Sequence, residues 1–468
     1  MSAEGCRTQK RRVAVIGAGV SGLTVARRLL AEGVDVTVYE RQPMTGGVWY
    51  YTSNKKQAFT TSAYNNLETN FPRELMEFSD YPWPSNTPVF PSRQQVHSYI
   101  QEYGKDISVC CNSEVVDVYL RTRIHPTDWK VKIRSTTTGK VSEKEFHAIV
   151  IATGTFNTPF EPEYSGLAAW KDKYPGSVSH AKAYRKPDKF RGKNVVVVGN
   201  SASGWDISLQ IAKVANKVWV SSTRPGKRSH EKIEGVVGIE RLVPSERSVD
   251  FKDSTTASDV DSIVLCTGYL YDVTFLRKGQ RAEEPIWANG FRLDDLYEHI
   301  FWTRRPTLMF VGIPKGGPTF LVSQAQSALV SRFITGRWGR PCQKDMVSWV
   351  AEQRALWNER READPNVENE RTFHSLIESK SKEYIERLGR WCAEADEKFP
   401  NTVSNRNPPF IWTKRLDWVM NNRRSIRDAF LEKDLNRQQF YTPESLGVIE
   451  NETTENIKES PKVGRWQK

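Results

Sequence analysis

Two hexapeptides carry the chemistry most legible in this 468-residue chain: Gly17-Ala18-Gly19-Val20-Ser21-Gly22 and Gly199-Asn200-Ser201-Ala202-Ser203-Gly204. Glycines at this spacing leave one surface of a turn free of side chains, so backbone N–H groups and a helix N-terminus can close on a pyrophosphate. One such turn predicts a bound dinucleotide; two predict two, and a protein holding two dinucleotides moves electrons between them. Glu40 follows Gly22 at about the 20-residue separation at which an acid takes a ribose hydroxyl. No acid closes the corresponding stretch after Gly204. Ser222, Thr223 and Arg224 stand there, with Lys227 and Arg228 just beyond, and a cation accepts a 2′-phosphate that a carboxylate would repel. The second turn therefore predicts NADPH, with Arg224 on its extra phosphate. The hydride then needs an acceptor, so the first turn predicts a flavin dinucleotide, FAD.

Each turn needs a strand to enter it and a helix to leave it. Arg12 leads into Val13-Ala14-Val15-Ile16, an aliphatic run suited to a parallel sheet; Leu23 to Leu30 reads as a helix, Gly33 stops it, and Val34 to Tyr39 forms a second strand ending at Glu40. The same frame recurs with a strand over Asn194 to Val198, a helix over Gly204 to Ala212 and a strand over Lys217 to Ser222. Two further apolar strands, ending in Thr153-Gly154 and in Thr267-Gly268, each follow one glycine-rich unit. The repetition predicts an α/β protein with two Rossmann-like dinucleotide-binding domains, the NADPH domain inserted in a discontinuous FAD domain. The expected division is 1–158 for the first part of the FAD domain, 159–275 for the NADPH domain, 276–340 for the return of the FAD domain and 341–468 for a helical C-terminal extension. In that extension, Asp345 to Leu356, Arg371 to Phe399 and Lys414 to Leu435 read as amphipathic helices, and Asn451 to Lys468 is polar.

Composition narrows the classes. A hydrophobic share of 38% with no apolar run long enough to cross a bilayer predicts a soluble protein, and the polar, basic residues Met1 to Arg12 lack the apolar stretch of a signal peptide. Six cysteines (Cys6, Cys110, Cys111, Cys266, Cys342 and Cys392) show neither CxxC nor zinc-type spacing, which predicts a reducing compartment, the cytoplasm, and no metal site. The net charge of +12 is spread along the chain among acids, which suits anionic cofactors rather than nucleic acid.

Tyr174-Pro175-Gly176, His180 and Tyr184-Arg185, just before the second turn, resemble the identifying segment of the flavin-containing monooxygenase family. Gly46-Gly47-Val48-Trp49 resembles that family's flavin-contacting turn, Leu67-Glu68-Thr69-Asn70-Phe71-Pro72 and Phe78-Ser79-Asp80-Tyr81-Pro82 its active-site segment, and Phe310-Val311-Gly312-Ile313-Pro314 its return strand. The likeness covers roughly residues 12 to 340. It implies that NADPH reduces the flavin, that the reduced flavin takes up O₂ as a C4a-hydroperoxide, and that an amine nitrogen or sulfide sulfur of a small molecule attacks its distal oxygen. The resemblance also places Gly47, Val48, Trp49 and Phe71 at the flavin. Asn70 is placed at the reactive flavin edge as the catalytic hydrogen-bonding residue, and Thr69 and Ser203-Gly204-Trp205-Asp206 on NADP⁺. His180 is implied in the interdomain linker, as a structural histidine rather than a general base. The chain departs from the pattern at Val322, two positions before Gln324-Ala325, where the family commonly has an acid.

The resemblance implies no nucleic-acid or membrane partner and leaves a homo-oligomer open. Three other readings stand beside it. Baeyer-Villiger monooxygenases, which turn ketones into esters, share both folds, but their identifying segment ends in Trp-Pro where this chain has Tyr184-Arg185. A disulfide reductase needs a redox pair near the flavin, and the adjacent Cys110-Cys111 lacks its spacing. A sensor would bind both cofactors without turnover.

Overall fold

The computed structural model describes residues 11–53, 59–120, 129–225, 230–279, 286, 290–364, 370–376, 379–400 and 407–449. Met1 to Lys10, Cys6, Lys227, Arg228 and Asn451 to Lys468 lie outside the described residues. The protein is a mixed α/β molecule built on two largely parallel sheets.

The larger sheet has seven strands. Arg12–Ile16 lies in its middle, with Asp35–Tyr39 and Val109–Cys110 on one side and Ala148–Ile151 and Leu308–Phe310 on the other, all parallel. Leu296–Tyr297 and Phe301–Trp302 complete it as an antiparallel edge. Apolar side chains run without a break along the central strands because both faces are covered. Val13 and Val15 enter one core, and Ala14 and Ile16 the other. Helix α1 (Val20–Ala31) and helix α2 (Arg93–Tyr103) pack on the first face. The second face is covered by the antiparallel layer Ser113–Leu120, Trp129–Ser135 and Val141–Phe146.

The chain crosses to the smaller sheet and back through a two-stranded ribbon in which Thr158–Pro159 pairs antiparallel with Tyr269–Leu270. After the short helix α3 (Leu167–Lys173), five parallel strands follow the order Ile233–Val236, Lys217–Ser221, Asn194–Val198, Ser262–Leu265, Val178–His180. Val195 and Val197 face one core of this unit and Val196 and Val198 the other, which repeats the alternation of the first sheet. Helix α4 (Ala202–Ala212) covers the first of these faces.

Helix α5 (Thr319–Ile334) is buried around nearly its whole circumference, between α1 and the extension. The extension holds α6 (Gln343–Ala363), α7 (Ser379–Lys398) and α8 (Lys414–Glu432). It packs on the larger sheet: Tyr384, Ile385, Leu388, Val419, Ile426 and Phe430 share one core with Val13 and Leu23. Arg332 of α5, fully buried, donates through Nε to Asp396 of α7 at 2.9 Å, and Arg337 reaches the same carboxylate at 2.8 Å and Glu32 at 2.5 Å.

The predicted helix over Arg371 to Phe399 is corrected: α7 begins only at Ser379. The segment before it is a 3-10 turn over Glu370–Thr372 followed by residues held by long-range partners that helical periodicity does not reveal. Ser375 forms a bridge with Lys315, and His374 Nε2 lies 3.1 Å from both the Leu293 N–H and the Leu293 carbonyl.

That segment buries two histidines together, with His374 Nδ1 2.9 Å from His299 Nδ1. Glu298 beside them is paired by Arg387 at 3.0 and 2.9 Å, and Lys315, Arg292 and Arg387 are the nearby cations. Burial pushes His299 down to about 4 and His374 well below the usual range, so both are neutral in the fold. The unfolded chain takes up their protons below about pH 6.5. This contribution to stability is therefore complete above pH 6.5 and is lost as pH falls toward 4, by about 3 kcal/mol for His299. We expect the urea midpoint to drop steeply between pH 6.5 and 4.5 and His299→Gln to flatten that drop. An unchanged slope in the variant would remove His299 from the account.

Candidate active site

The two glycine turns are near copies. Gly17 and Gly199 have φ of +103° and +106°, and each donates its N–H across to the neighbouring strand, to the Tyr39 carbonyl at 2.8 Å and the Ser221 carbonyl at 2.7 Å. A Cβ at Gly17 would stand 2.5 Å from the Ala152 oxygen, and one at Gly199 2.4 Å from the Cys266 oxygen. The third glycine of each turn is the tightest, since a Cβ on Gly22 would meet the Gly17 oxygen at 1.8 Å and one on Gly204 the Gly199 oxygen at 1.9 Å. Backbone, not a movable side chain, fills both gaps. Both helices start without a side-chain cap and without an acid in the first turn, so their N-terminal N–H groups remain for an anion.

The two turns differ at the middle position for a local reason. Gly46-Gly47 folds onto the first turn, with Gly46 N–H donating to the Ala18 carbonyl at 2.9 Å, and a Cβ on Gly19 would be 3.3 Å from Gly47 Cα. Ser201, at the matching place in the second turn, is exposed and tolerates its side chain. The turn that carries Gly47, Val48 and Trp49 thus roofs the first cradle. It is itself propped by His97, whose Nε2 lies 2.9 Å from the Thr45 carbonyl.

Glu40 is buried at the end of its strand, and its carboxylate accepts the Ala18 N–H at 2.8 Å and the Gln42 N–H at 2.9 Å. It therefore shapes the first cradle through these backbone contacts, a role the sequence did not disclose. Burial pushes its carboxyl up against the pull of those two N–H groups. Ser21 Oγ lies 2.8 Å from Ser323 Oγ of α5, and Gly312 (φ +82°) approaches so closely that a Cβ there would be 2.2 Å from Ser21 Oγ. The return strand thus reaches the first cradle.

The segment 67–83 is bolted in place between α2, α5 and α8. Thr69 N–H donates to the Pro91 carbonyl at 3.0 Å, and Gln324 of α5 accepts from Ser79 N–H at 2.7 Å while donating to the Glu77 carbonyl at 2.9 Å. Phe78 stacks on Tyr103 of α2 at 3.6 Å, and Trp83 on Tyr99 at the same distance. Val322, the departure from the family pattern noted above, lies in the apolar core beside Leu321 and Ala325, where a carboxylate would be desolvated. Phe71 leans half-buried on that core, and Asn70 is exposed.

Glu68 marks a role that sequence reasoning missed. Arg437 Nε at 3.0 Å, Gln438 Nε2 at 2.8 Å and Arg427 Nη2 at 3.4 Å all reach its carboxylate, so the extension holds the residue two before Asn70. An acid inside an otherwise apolar and neutral stretch was the available signal.

On the second cradle, Ser203 and Gly204 lie in the first turn of α4, and Trp205 is 37% exposed. Asp206 turns the other way: Tyr64 OH and Gln210 Nε2, the latter at 2.9 Å, both donate to it, and burial pushes its carboxyl up. Arg224 sits on the loop after Lys217–Ser221 and pairs with Asp364 at 2.6 Å. Among the described residues, four buried hydroxyls have no hydrogen-bond partner, Thr69 Oγ1, Ser222 Oγ, Ser248 Oγ and Ser327 Oγ, and the first two lie on the segments that the sequence assigns to the nucleotides. Such orphans are costly unless a ligand completes them. Together with four glycines whose Cβ atoms would overlap backbone, they fit a dinucleotide in each cradle.

The identifying segment couples the two units. Arg185 donates from Nε to the Thr52 carbonyl at 3.0 Å and from Nη2 to the Thr61 carbonyl at 3.2 Å, and Asn65 N–H donates to its own carbonyl at 2.9 Å. A proline at that position would remove the guanidinium contacts. His180 uses both ring nitrogens: Nδ1 accepts the Lys182 N–H at 3.1 Å, which leaves Nε2 to donate to the Gly268 carbonyl at 3.1 Å. Burial pushes its pKa down, so it is a neutral histidine at the end of the edge strand Val178–His180, tying that strand to Gly268 beside the ribbon between the sheets. Cys110 and Cys111 are free thiols at the edge of the larger sheet.

Comparison with known proteins agrees with this geometry. The sequence profile described as "FMO-like: Flavin-binding monooxygenase-like" matches residues 10–234 and 229–386. Among curated proteins, Flavin-containing monooxygenase FMO GS-OX2 of Arabidopsis thaliana is 32% identical over 377 residues, 73% of this chain and 79% of the relative. FMO GS-OX4 of the same plant is 30% identical over 465 residues, 94% of this chain and 95% of the relative. Among solved structures, S-allyl-L-cysteine S-oxygenase from Allium sativum superposes with a TM-score of 0.77 at 27% identity, over 94% of this chain and 97% of that one.

Proposed function

Because the chain belongs to the flavin-binding monooxygenase-like family and is a flavin-dependent monooxygenase, we propose that it uses NADPH and O₂ to oxygenate the sulfur of a small-molecule thioether. An amine nitrogen is the second substrate class. The balance is NADPH + H⁺ + O₂ + R₂S → NADP⁺ + H₂O + R₂SO. The observation that carries this reading is the pair of matched cradles, one roofed by Gly46-Gly47 and one followed by a cation instead of an acid. Sulfur is preferred to nitrogen because a structure similar over nearly the full chain is named an S-oxygenase. Tyr184-Arg185, with its guanidinium on backbone carbonyls of the flavin side, weighs against the ketone-oxidising alternative.

FAD, when bound, supplies the redox and oxygen chemistry; the protein binds, orients and excludes water. The first cradle, with Glu40, Gly47, Val48, Trp49 and Phe71, holds it. Thr69 and the start of α4 would take NADP⁺, and Asn70 would offer its amide as a hydrogen-bonding group to the flavin. Asp206, turned toward Tyr64 and Gln210, anchors α4 to the active segment rather than meeting the nucleotide directly. We place the protein among non-membrane enzymes; among the described residues no helix is long and apolar enough to cross a bilayer.

Two measurements test the reading. A screen of thioethers, tertiary amines, secondary amines and ketones, scored by product mass, should add one oxygen to the thioether; an ester from the ketone with no change to thioether or amine would overturn it. Arg224→Ala should raise the KM for NADPH about tenfold, the effect of one charge-assisted contact, and leave that for NADH nearly unchanged. Equal effects on both would refute the 2′-phosphate role.

A further inference from the structure

We propose that Asp364, at the C-terminal end of α6, occupies the 2′-phosphate site of the second cradle until NADP(H) displaces it, so that the extension carries a built-in competitor of the coenzyme. The inference rests on the reading of Arg224 given above. Its guanidinium Nη2 lies 2.6 Å from Asp364 Oδ2. Asp364 caps α6, whose terminal carbonyls add partial negative charge to the carboxylate. Arg224 therefore meets an anionic group of the kind a phosphate would present. Two residues before Arg224, the buried Ser222 Oγ has no partner among the described residues. Asp364 satisfies the cation but not this hydroxyl, whereas a phosphate has oxygens for both.

The pair is also placed to couple binding to domain contact. α6 packs on the edge of the larger sheet at Leu296–Tyr297 and is tied there by Arg354 to Asp294 at 2.8 Å, while Arg224 belongs to the smaller sheet. The ion pair thus straps the two units together, and a nucleotide that takes Arg224 releases the strap. With side-chain exposures of 68% and 42% the pair exchanges readily and holds little energy, so the competition is modest.

The test is the dissociation constant of NADP⁺ and of NAD⁺ for the flavin-loaded protein and for Asp364→Asn, Arg224→Gln and the double variant. Asparagine is chosen because it still suits a helix end. The expected result is NADP⁺ binding about three- to fivefold tighter in Asp364→Asn, NAD⁺ unchanged, the gain absent in the Arg224→Gln background, and the gain shrinking at high salt. If Arg224→Gln weakens NADP⁺ selectively but Asp364→Asn leaves it unchanged or weaker, Asp364 is no competitor and the proposal falls, with the 2′-phosphate reading intact. If Arg224→Gln fails to distinguish NADP⁺ from NAD⁺, the underlying reading falls first.

Discussion

Gly204→Ala should purify yellow and should no longer be bleached by NADPH. The added Cβ would sit 1.9 Å from the Gly199 oxygen and 2.7 Å from its carbonyl carbon, so relief requires the turn itself to open. Overpacking against immovable backbone costs about 3 kcal/mol or more, which spread over the second cradle slows flavin reduction by at least about a hundredfold. The larger sheet keeps its own cores, so flavin is retained. Gly22→Ala is the mirror experiment, with a contact of 1.8 Å to the Gly17 oxygen, and should give colourless protein. Reduction of Gly204→Ala at the wild-type rate would show that the second turn does not carry the reductant.

Asn70→Ala should keep the flavin and its reduction but lose the product. Glu68, Thr69 and Phe71 are each anchored, by the extension, by the Pro91 carbonyl and by the core, so the backbone that carries the exposed Asn70 is held in place. Removing one preorganised donor from developing charge costs about 3 kcal/mol, or about a hundredfold in product formed per NADPH oxidised, with H₂O₂ appearing instead. Oxygen and NADPH consumption measured together with peroxide would show this. Unchanged product per NADPH in the variant removes Asn70 from the site.

Much of the fold was legible because backbone contacts dictate the glycines. Gly17, Gly22, Gly199 and Gly204 are required by carbonyl oxygens less than 3 Å from where a Cβ would be, and the strands before them are apolar on both faces because both faces are buried. What stayed hidden depends on residues far apart in the chain. The helix expected from Arg371 fails over His374 and Ser375 because Leu293 and Lys315 claim those residues. The grip of Arg427 and Arg437 on Glu68, and of Asp364 on Arg224, crosses more than a hundred positions and leaves no periodic trace. Glu40 was readable as an acid at a strand end. That it also accepts the Ala18 N–H follows only from the closure of the turn.

Anaerobic titration of the purified protein with NADPH, followed by the visible absorbance of the flavin, tests the paired cradles most directly. The expected result is a yellow protein bleached by about one equivalent of NADPH. A colourless protein that does not take up FAD, or a yellow one that NADPH leaves unbleached, would contradict it.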